Sequence, residues 1–296
     1  MHAILDDLRR LTASAGNMRT ETGIPRVAMV RGEIPEHRLA AVYEPMINLI
    51  VEGGKALTIG NRTVTIRAGG YFVVSTHLPA TGTVFQGGPG RPYVGVSLAV
   101  EPKLVADILL NWAVEPSPLA AAPIEAVATA DMEMLDAWRR LLRLVERPAD
   151  IPVLAALYER EILYRVLQGP QGGLLREIAG PGSALSRINP VIAWIRENFR
   201  EHLPVESLAA RASMSPSKFH RSFKALTGLA PNQYQKRIRL FVARQMMLAQ
   251  SLSASAACYE VGYESLSHFS RDYVRLFGST PARDARALRE TIGVAA

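Results

Sequence analysis

The sequence lacks the features that mark secreted and membrane-spanning proteins. Its 296 residues include a single cysteine, which excludes an internal disulfide and fits a reduced setting. No apolar run approaches the roughly 20 residues that span a bilayer. The first residues carry Asp6 and Asp7, where a secretory signal would be basic and then apolar. We therefore expect a cytoplasmic protein that makes no membrane contact.

Acidic residues are scarce in the C-terminal part of the chain. Residues 184–296 hold 16 Lys and Arg against 8 Asp and Glu, whereas residues 1–183 hold 18 against 19. The net charge of +7 therefore arises entirely in the C-terminal segment. A basic segment beside a neutral one favours a polyanion as partner, although solvated charge alone produces the same balance.

Short strands are predicted for the first third of the chain and helices for the rest. Between 26 and 100, apolar runs such as KALTIG and YVGVSLAV are separated by Gly, Pro and Asn. This spacing, with no helix between the strands, predicts an antiparallel sandwich or barrel. From 101 onward the apolar residues recur every three or four positions, as in helices.

A domain boundary is predicted between 169 and 186. The clusters GPQGG and GPGSALS lie there, at the point where the charge balance changes. Beyond them the pattern is helical throughout. Asn189 followed by Pro190 predicts that the next helix begins at this position.

One helical segment occurs twice in the basic half. SPSKFHRSFKALTGLAP at 215–231 and SLSHFSRDYVRLFGSTP at 265–281 share seven of seventeen positions without a gap. Helical spacing places aromatic and leucine residues of each copy on one face, which must be buried, and a second face is mostly polar. The buried face comprises Phe219, Phe223 and Leu226 in the first copy, and Phe269, Tyr273 and Leu276 in the second.

Each copy follows a short helix of small residues and a turn, which is the pattern of a helix-turn-helix whose second helix lies in the DNA major groove. An arginine on the exposed face can donate two hydrogen bonds to O6 and N7 of guanine, while Ser, Lys and His suit phosphates or base edges. Two such units can read two groove segments about 34 Å apart. The alternative is that the two units only form a helical bundle, which leaves the local charge excess unexplained.

The segment from about 190 to 290 resembles the DNA-binding domain of the AraC/XylS family of bacterial transcription regulators. The motifs that carry the resemblance are LAARASMSPSKFHRSFKALTG, the RLxxARxMM pattern from Arg239 to Met247, and VGYESLSHFSRDYVRLFGSTP. The second helix-turn-helix unit departs from the family pattern at Ala257, Cys258 and Val274, where isoleucine, alanine and a polar residue are usual. We expect DNA contacts from Ser217, Lys218, His220, Arg221, Lys224, Leu266, Ser267, Ser270 and Arg271.

Residues from about 20 to 165 resemble the cupin-like N-terminal sensor found in one branch of that family. The stretches YEPMINLIVEGGKALTIG, RAGGYFVVSTHLPATGTV and PYVGVSLAVEPK carry this resemblance. It implies a small barrel whose interior holds one small ligand. A shift of strand register by one residue reverses which side chains point inward. With that reservation, the candidate ligand-binding residues are Asn48, Arg62, His77, Arg91 and Tyr93.

The expected fold is multidomain α+β, with a cupin-like antiparallel β-barrel and flanking helices, followed by an all-α domain in which a long helix joins two helix-turn-helix motifs. The predicted parts are an N-terminal helical segment (1–19), a sensor and dimerisation domain (20–168), a linker (169–186) and a DNA-binding domain (187–296). The expected function is sequence-specific transcriptional regulation, as an activator. The expected partners are promoter DNA, RNA polymerase and a small-molecule effector, with a homodimer as a further possibility.

Two other functions remain open at this stage. The first is a cupin-type metal enzyme with an appended helical domain, but the strand region holds only His37 and His77, with no His-x-His pair. We therefore expect no catalytic residues, no metal and no cofactor. The second is a DNA-binding protein with no sensing function. The apolar stripes at 131–146 and 151–168 fit either packing against the barrel or a dimer interface.

Overall fold

Strands form the first part of the chain and helices most of the remainder. The structure is a computed structural model that describes residues 1–17, 19–32, 37–112, 127–180 and 182–292. The chain divides into two units, one of residues 1–187 with 225–228, and one formed by the rest from 188 onward. Each unit has its own hydrophobic core and is described by itself.

The strands of the first unit are short and pair only in antiparallel fashion within the described residues. They are β1 (Thr20–Glu21), β2 (Val27–Gly32), β3 (His37–Tyr43), β4 (Met46–Glu52), β5 (Gly54–Ile59), β6 (Arg62–Arg67), β7 (Gly70–Val74), β8 (Leu78–Phe85), β9 (Tyr93–Ala99) and β10 (Ala128–Thr129). One sheet has the order β1-β2-β9-β4-β7-β10 and the other has the order β3-β8-β5-β6. The predicted antiparallel architecture is confirmed.

The predicted closed barrel is wrong, because the described strands form two separate sheets rather than a hydrogen-bonded ring. The chain crosses from β4 in one sheet to β5 in the other at Gly53, which has a φ of +68°. A side chain there would meet the Phe85 carbonyl oxygen at 2.4 Å, so the crossing requires glycine. Inward and outward residues alternate alike in barrels and sandwiches, so the sequence pattern could not distinguish the two.

The side chains that line the space between the two sheets are mainly apolar. Ile50 from β4 and Phe72 from β7 meet Leu57, Ile66 and Val84 from the facing sheet. The inward register is fixed by pairing, because residues directly opposite each other on neighbouring strands share a face.

Helices cover the outer face of the larger sheet. They are α1 (His2–Leu11), α2 (Pro102–Asn111), α3 (Met132–Arg143), α4 (Ile151–Gln168) and α5 (Gly172–Ala179). Leu8, Leu135 and Trp138 are fully buried in the core that these helices share with the sheet. The buried carboxylate of Glu159 on α4 accepts a hydrogen bond of 2.9 Å from Nε of Arg26 and forms an ion pair with it. This pair ties α4 to the turn that precedes β2.

Helix α5 lies inside the segment predicted as a linker. Its Leu174 and Leu175 are buried in the same core as α3 and α4. The glycines around this helix are typical of a linker, but burial of the two leucines makes the segment part of the first unit.

The remaining helices are α6 (Ala184–Glu197), α7 (Val205–Arg211), α8 (Pro216–Thr227), α9 (Pro231–Ala249), α10 (Ala254–Glu260), α11 (Leu266–Phe277) and α12 (Pro281–Ile292). The predicted helix start at Asn189 is wrong, because Pro190 lies inside α6. The Ser183 hydroxyl accepts the Ser186 N–H at 2.9 Å at the start of this helix. Leu185, Ile188, Ile192 and Ile195 are fully buried across the proline, and their burial outweighs the one hydrogen bond that proline cannot donate.

We expect Leu135→Ala to lower the free energy of unfolding of the first unit by about 2–5 kcal/mol, because it leaves a cavity in a fully buried site. Met132, on the same helix but 47% exposed, is the matched control. Met132→Ala should change stability by less than about 0.5 kcal/mol. Urea unfolding followed by circular dichroism measures both, and equal effects would contradict this description of the core.

Candidate nucleic-acid interface and sensor interior

Helix α8 carries the first predicted reading face. Phe219 and Phe223 are fully buried, their ring centroids 5.4 Å apart, and Phe223 meets the ring of Tyr234 on α9 edge-on at 5.4 Å. The buried face predicted for the first copy is confirmed at these two residues, whereas Leu226 is only half-buried. The aromatic residues therefore anchor α8 and fix which of its faces is turned to solvent.

All five predicted contact residues of α8 are exposed. They are Ser217, Lys218, His220, Arg221 and Lys224. Ser215 precedes the helix, and its hydroxyl accepts the Lys218 N–H at 3.4 Å, which holds the start of α8 in place. Cationic and hydrogen-bonding groups thus share one exposed surface.

Helix α11 repeats this arrangement. Phe269 and Tyr273 are fully buried, and the Ser265 hydroxyl accepts the His268 N–H at 3.4 Å at its start. Ser267 and Arg271 are exposed and Ser270 is half-buried. Leu266 and Val274, 39% and 40% exposed, add apolar contact area that the first copy lacks.

The described part of the chain supplies no counter-charge to the cations on these two surfaces. Within the described residues, no carboxylate forms an ion pair with Lys218, Arg221, Lys224 or Arg271, whereas Lys236 on α9 binds Asp272 at 3.0 Å. Basic groups without an internal counter-charge are available to a polyanion.

Arg239 on α9 joins the two helix-turn-helix units through backbone carbonyls. Its guanidinium donates to the carbonyl oxygens of Phe199 (2.6 Å), Arg200 (3.0 Å) and Glu201 (2.9 Å), in the segment that leads into α7. It also donates to the carbonyl of Gly262 at 2.8 Å, in the turn between α10 and α11. One side chain therefore contacts both helix-turn-helix motifs.

The turn at Gly262 could not accept a larger residue. Its φ is +82°, and a side chain there would meet the Arg200 carbonyl oxygen at 2.4 Å. The ring of Tyr263 lies beside the Arg239 guanidinium, and its hydroxyl donates to Asp272 on α11 at 3.3 Å. Burial, followed by the Asp272 carboxylate, raises the pKa of Tyr263, so its hydroxyl remains a donor at neutral pH.

A buried ion pair fixes the second reading helix. Nε and Nη2 of Arg244 on α9 donate to the two carboxylate oxygens of Asp284 on α12, at 2.8 and 3.0 Å. The Tyr273 hydroxyl on α11 donates to the same carboxylate at 2.8 Å. Burial raises the pKa of Tyr273, and so does Asp284. Cys258, the single cysteine, is free and fully buried.

The predicted ligand residues of the first unit separate into inner and outer groups. Asn48 is buried opposite Phe72, so it faces the space between the sheets, and Tyr93 is buried in the same interior. Arg62 is exposed at the β5–β6 hairpin, and His77 is half-buried between β7 and β8. The half-exposed side chain of Arg91 binds the buried Glu52 carboxylate at 3.0 Å. The structure therefore places Asn48 and Tyr93 in the same interior, at different points along it, and leaves the two arginines at the margin.

Sequence reasoning missed Lys55, a buried lysine between the sheets. It lies on β5 directly opposite Val84 and Ile66, both of which face the interior. Its Nζ is 4.6 Å from the ring centroid of Tyr43 and 5.8 Å from that of Phe72. The alternation in GKALTI already puts Lys55 in phase with Leu57 and Ile59, and that phase is the signal that could have identified it.

The described residues hold neither a candidate metal site nor a candidate membrane span. No group of three or more His, Cys, Asp and Glu side chains is placed to hold a metal ion there. No helix among them is long and apolar enough to cross a membrane.

Comparison with known proteins identifies relatives of both units. A family model described as "AraC-type transcriptional regulator N-terminus" matches residues 23–174, and one described as "Helix-turn-helix domain" matches residues 208–287. The HTH-type transcriptional activator RhaS of Salmonella schwarzengrund is 33% identical over 165 residues. RhaS of Salmonella typhimurium is 32% identical over 165 residues. Each alignment covers 55% of this chain and 58% of the relative, so this chain spans under two thirds of their length.

The fold has a solved counterpart over most of the chain. ToxT from Vibrio cholerae, solved with an unsaturated fatty acid bound, superposes with a TM-score of 0.56. The match covers 88% of this chain and 94% of that one at 11% identity, so the likeness is one of fold alone.

We expect Arg239→Ala to lower the free energy of unfolding of the second unit by about 1–3 kcal/mol. The substitution removes the donor from four backbone carbonyl oxygens, and those that are buried are left without a hydrogen bond. Gln245→Ala, at an exposed position on the same helix, is the control. Amide hydrogen exchange at Gly262 and Tyr263 provides the measurement. Unchanged exchange in Arg239→Ala would show that the guanidinium does not hold this turn.

Proposed function

Because this chain belongs to the family of AraC-type transcriptional regulators, we propose that it binds specific double-stranded DNA and that a small molecule held by its first unit alters this binding. The observation that carries the proposal is the duplicated helix. Both α8 and α11 bury an aromatic face and expose a face of hydrogen-bonding and cationic groups. A bundle of purely structural helices would not need unpaired cations on both copies.

The chemistry of each face suits the DNA major groove. Arg221 and Arg271 occupy equivalent positions, and an arginine can donate two hydrogen bonds to O6 and N7 of one guanine. Ser217, Lys218, His220 and Lys224 suit phosphates and other base edges, as do Ser267 and Ser270. Leu266 can contact a thymine methyl group. The two helices would then read successive groove segments of one site.

The first unit supplies the regulatory input in this proposal. A ligand that binds one state of the protein more tightly shifts the population toward that state, and hence changes the fraction able to bind DNA. We propose that the chain is an activator, that it acts in the cytoplasm together with RNA polymerase, and that it has no enzymatic activity of its own. The residues proposed to lie nearest the ligand are Asn48 and Tyr93.

Binding of the purified chain to its own upstream intergenic DNA, against unrelated DNA across a salt series, tests the DNA-binding proposal. Sequence-selective binding with a footprint over about two helical turns is expected. Weak, unselective binding that is lost steeply with salt would mean that only the phosphate backbone is contacted, and would overturn the proposal.

We expect Arg221→Ala to cost about 1–3 kcal/mol of binding free energy and to relax the base preference at one position of the site. Lys224→Ala is the matched control on the same helix, because loss of a phosphate contact weakens all sequences alike. Selection from randomised DNA, followed by titration of single-base variants, measures both. Uniform weakening by Arg221→Ala would reassign this arginine to the phosphate backbone.

We also propose that the chain forms a homodimer through α4. Val153 and Leu157 lie four residues apart on this helix and are 69% and 58% exposed. Most of the apolar residues on α3 are buried in the core instead, so the stripe at 131–146 serves packing.

We expect Leu157→Glu to convert the dimer to a monomer, because it places a charge in an apolar contact. Met132→Glu, at an exposed apolar position on α3, should leave the dimer intact. Sedimentation velocity of the full chain distinguishes the two variants. A wild-type chain that sediments as a monomer at micromolar concentration would refute the dimer.

A further inference from the structure

We propose that the effector is a small carboxylate whose charge is neutralised by the Lys55 ammonium in the space between the two sheets. This rests on the proposed sensing function and adds to it the chemical class of the ligand and the residue that binds it. The inference begins from a charged side chain that the protein buries without a counter-charge.

Lys55 is 5% exposed and extends from β5 into the apolar interior. Within the described residues no carboxylate forms an ion pair with it; its ammonium contacts the rings of Tyr43 and Phe72 and forms a hydrogen bond with the Tyr43 hydroxyl. The nearby acidic residue Glu52 is already engaged, by Nε of Arg9 at 2.5 Å and by Arg91 at 3.0 Å. The carboxylate closest in sequence is therefore committed to holding α1 and the loop before β9.

Those contacts leave the buried charge only partly compensated. Removal of an ammonium from water is among the largest single costs in a protein interior, and an aromatic face offsets only part of it. Deprotonation would be the other way to lower the cost. Burial does lower the pKa of Lys55, but Tyr43 and Tyr93 outweigh that effect, and the pKa is raised overall. The groups that this ammonium contacts within the described residues are aromatic rings and one phenol hydroxyl, so a carboxylate is the partner it lacks.

Asn48 supplies a second unsatisfied group in the same interior. It lies directly opposite Phe72, whose ring contacts the Lys55 ammonium, and its Oδ1 has no hydrogen-bond partner within the described residues. Buried amide oxygens are almost always paired, so the free Oδ1 in the same interior as Lys55 offers a second polar group to a ligand. A ligand that carries both a carboxylate and a hydroxyl donor would satisfy Lys55 and Asn48 together.

The charge and the lining of the interior limit the ligand further. Among the described residues buried between the sheets, Lys55 is the only cation, so a monoanion fits and a phosphate dianion would remain undercompensated. Ile50, Leu57 and Ile66 line the same space, so the body of the ligand should be apolar. These conditions describe a compact aromatic or aliphatic carboxylate with a hydroxyl group.

The test compares carboxylates with their uncharged amides on the full-length chain. Hexanoate, benzoate and salicylate are each added at the same concentration as hexanamide, benzamide and salicylamide, and thermal unfolding of the first unit is followed. At least one carboxylate should raise Tm by about 2 °C or more over its amide, because it binds only the folded state. In Lys55→Met this difference should vanish while the fold is retained.

A second variant keeps the test decisive if Lys55→Met does not fold. Asn48→Asp is nearly isosteric and introduces a carboxylate opposite Phe72. It should raise Tm without added ligand and abolish the response to carboxylates, because the internal carboxylate takes the place of the ligand. Equal responses to every acid and its amide, or a carboxylate response that persists in both variants, would overturn the proposal.

The outcome is separable from that of the proposed function. Ligand-free DNA binding is measured on the same wild-type preparation. Selective DNA binding with no carboxylate response leaves the regulator proposal standing and removes this one. A carboxylate response without selective DNA binding supports the carboxylate site and removes the proposal of a DNA-binding regulator.

Discussion

The guanidinium of Arg239 is the single group on which the geometry of the second unit depends most. It donates to carbonyls in the segment before α7 and to the turn before α11, so it contacts both helix-turn-helix units at once. The proposed reading of two groove segments by one chain requires a fixed spacing between α8 and α11. Carbonyl acceptors suit this purpose, since they are part of the backbone whose path must be set. Helix α9 then acts as a spacer, because its Arg239 side chain is hydrogen-bonded both to the segment before α7 and to the turn before α11.

The chain meets the cost of removing charge from water in two ways. Half-buried Arg239 donates to neutral carbonyls, whereas Arg244 and Glu159 form ion pairs, with Asp284 and Arg26 respectively. Each of these groups is fully engaged and holds two elements together, which is a structural role. Lys55 differs, because its contacts are aromatic rings and one hydroxyl. This difference in partners distinguishes the charged groups with a structural role from Lys55, the proposed ligand contact.

The helix-turn-helix repeat could be predicted because its signal is local. Phe219, Phe223, Phe269 and Tyr273 recur at helical spacing, and spacing alone decides which face is buried. The sandwich could not be distinguished from a barrel, because both need the same alternation of side chains and differ only in which strand edges pair. The start of α6 was misplaced for a related reason. Pro190 is a strong local signal, but burial of Leu185 and Ile188 before it outweighs that signal.

The site in the first unit was harder to predict than the reading helices, because it is made of single residues from different strands. Asn48 and Tyr93 were among the candidates, whereas Lys55 was not, since lysine in a strand is usually a solvated residue. Its position becomes meaningful only when register places it opposite Val84 and Ile66. A ligand that supplied the missing counter-charge would bind the folded first unit, in which the two sheets bury Lys55. To act as a switch it must also bind one DNA-binding state of the chain more tightly than the other, because only an affinity difference between two states can shift their populations.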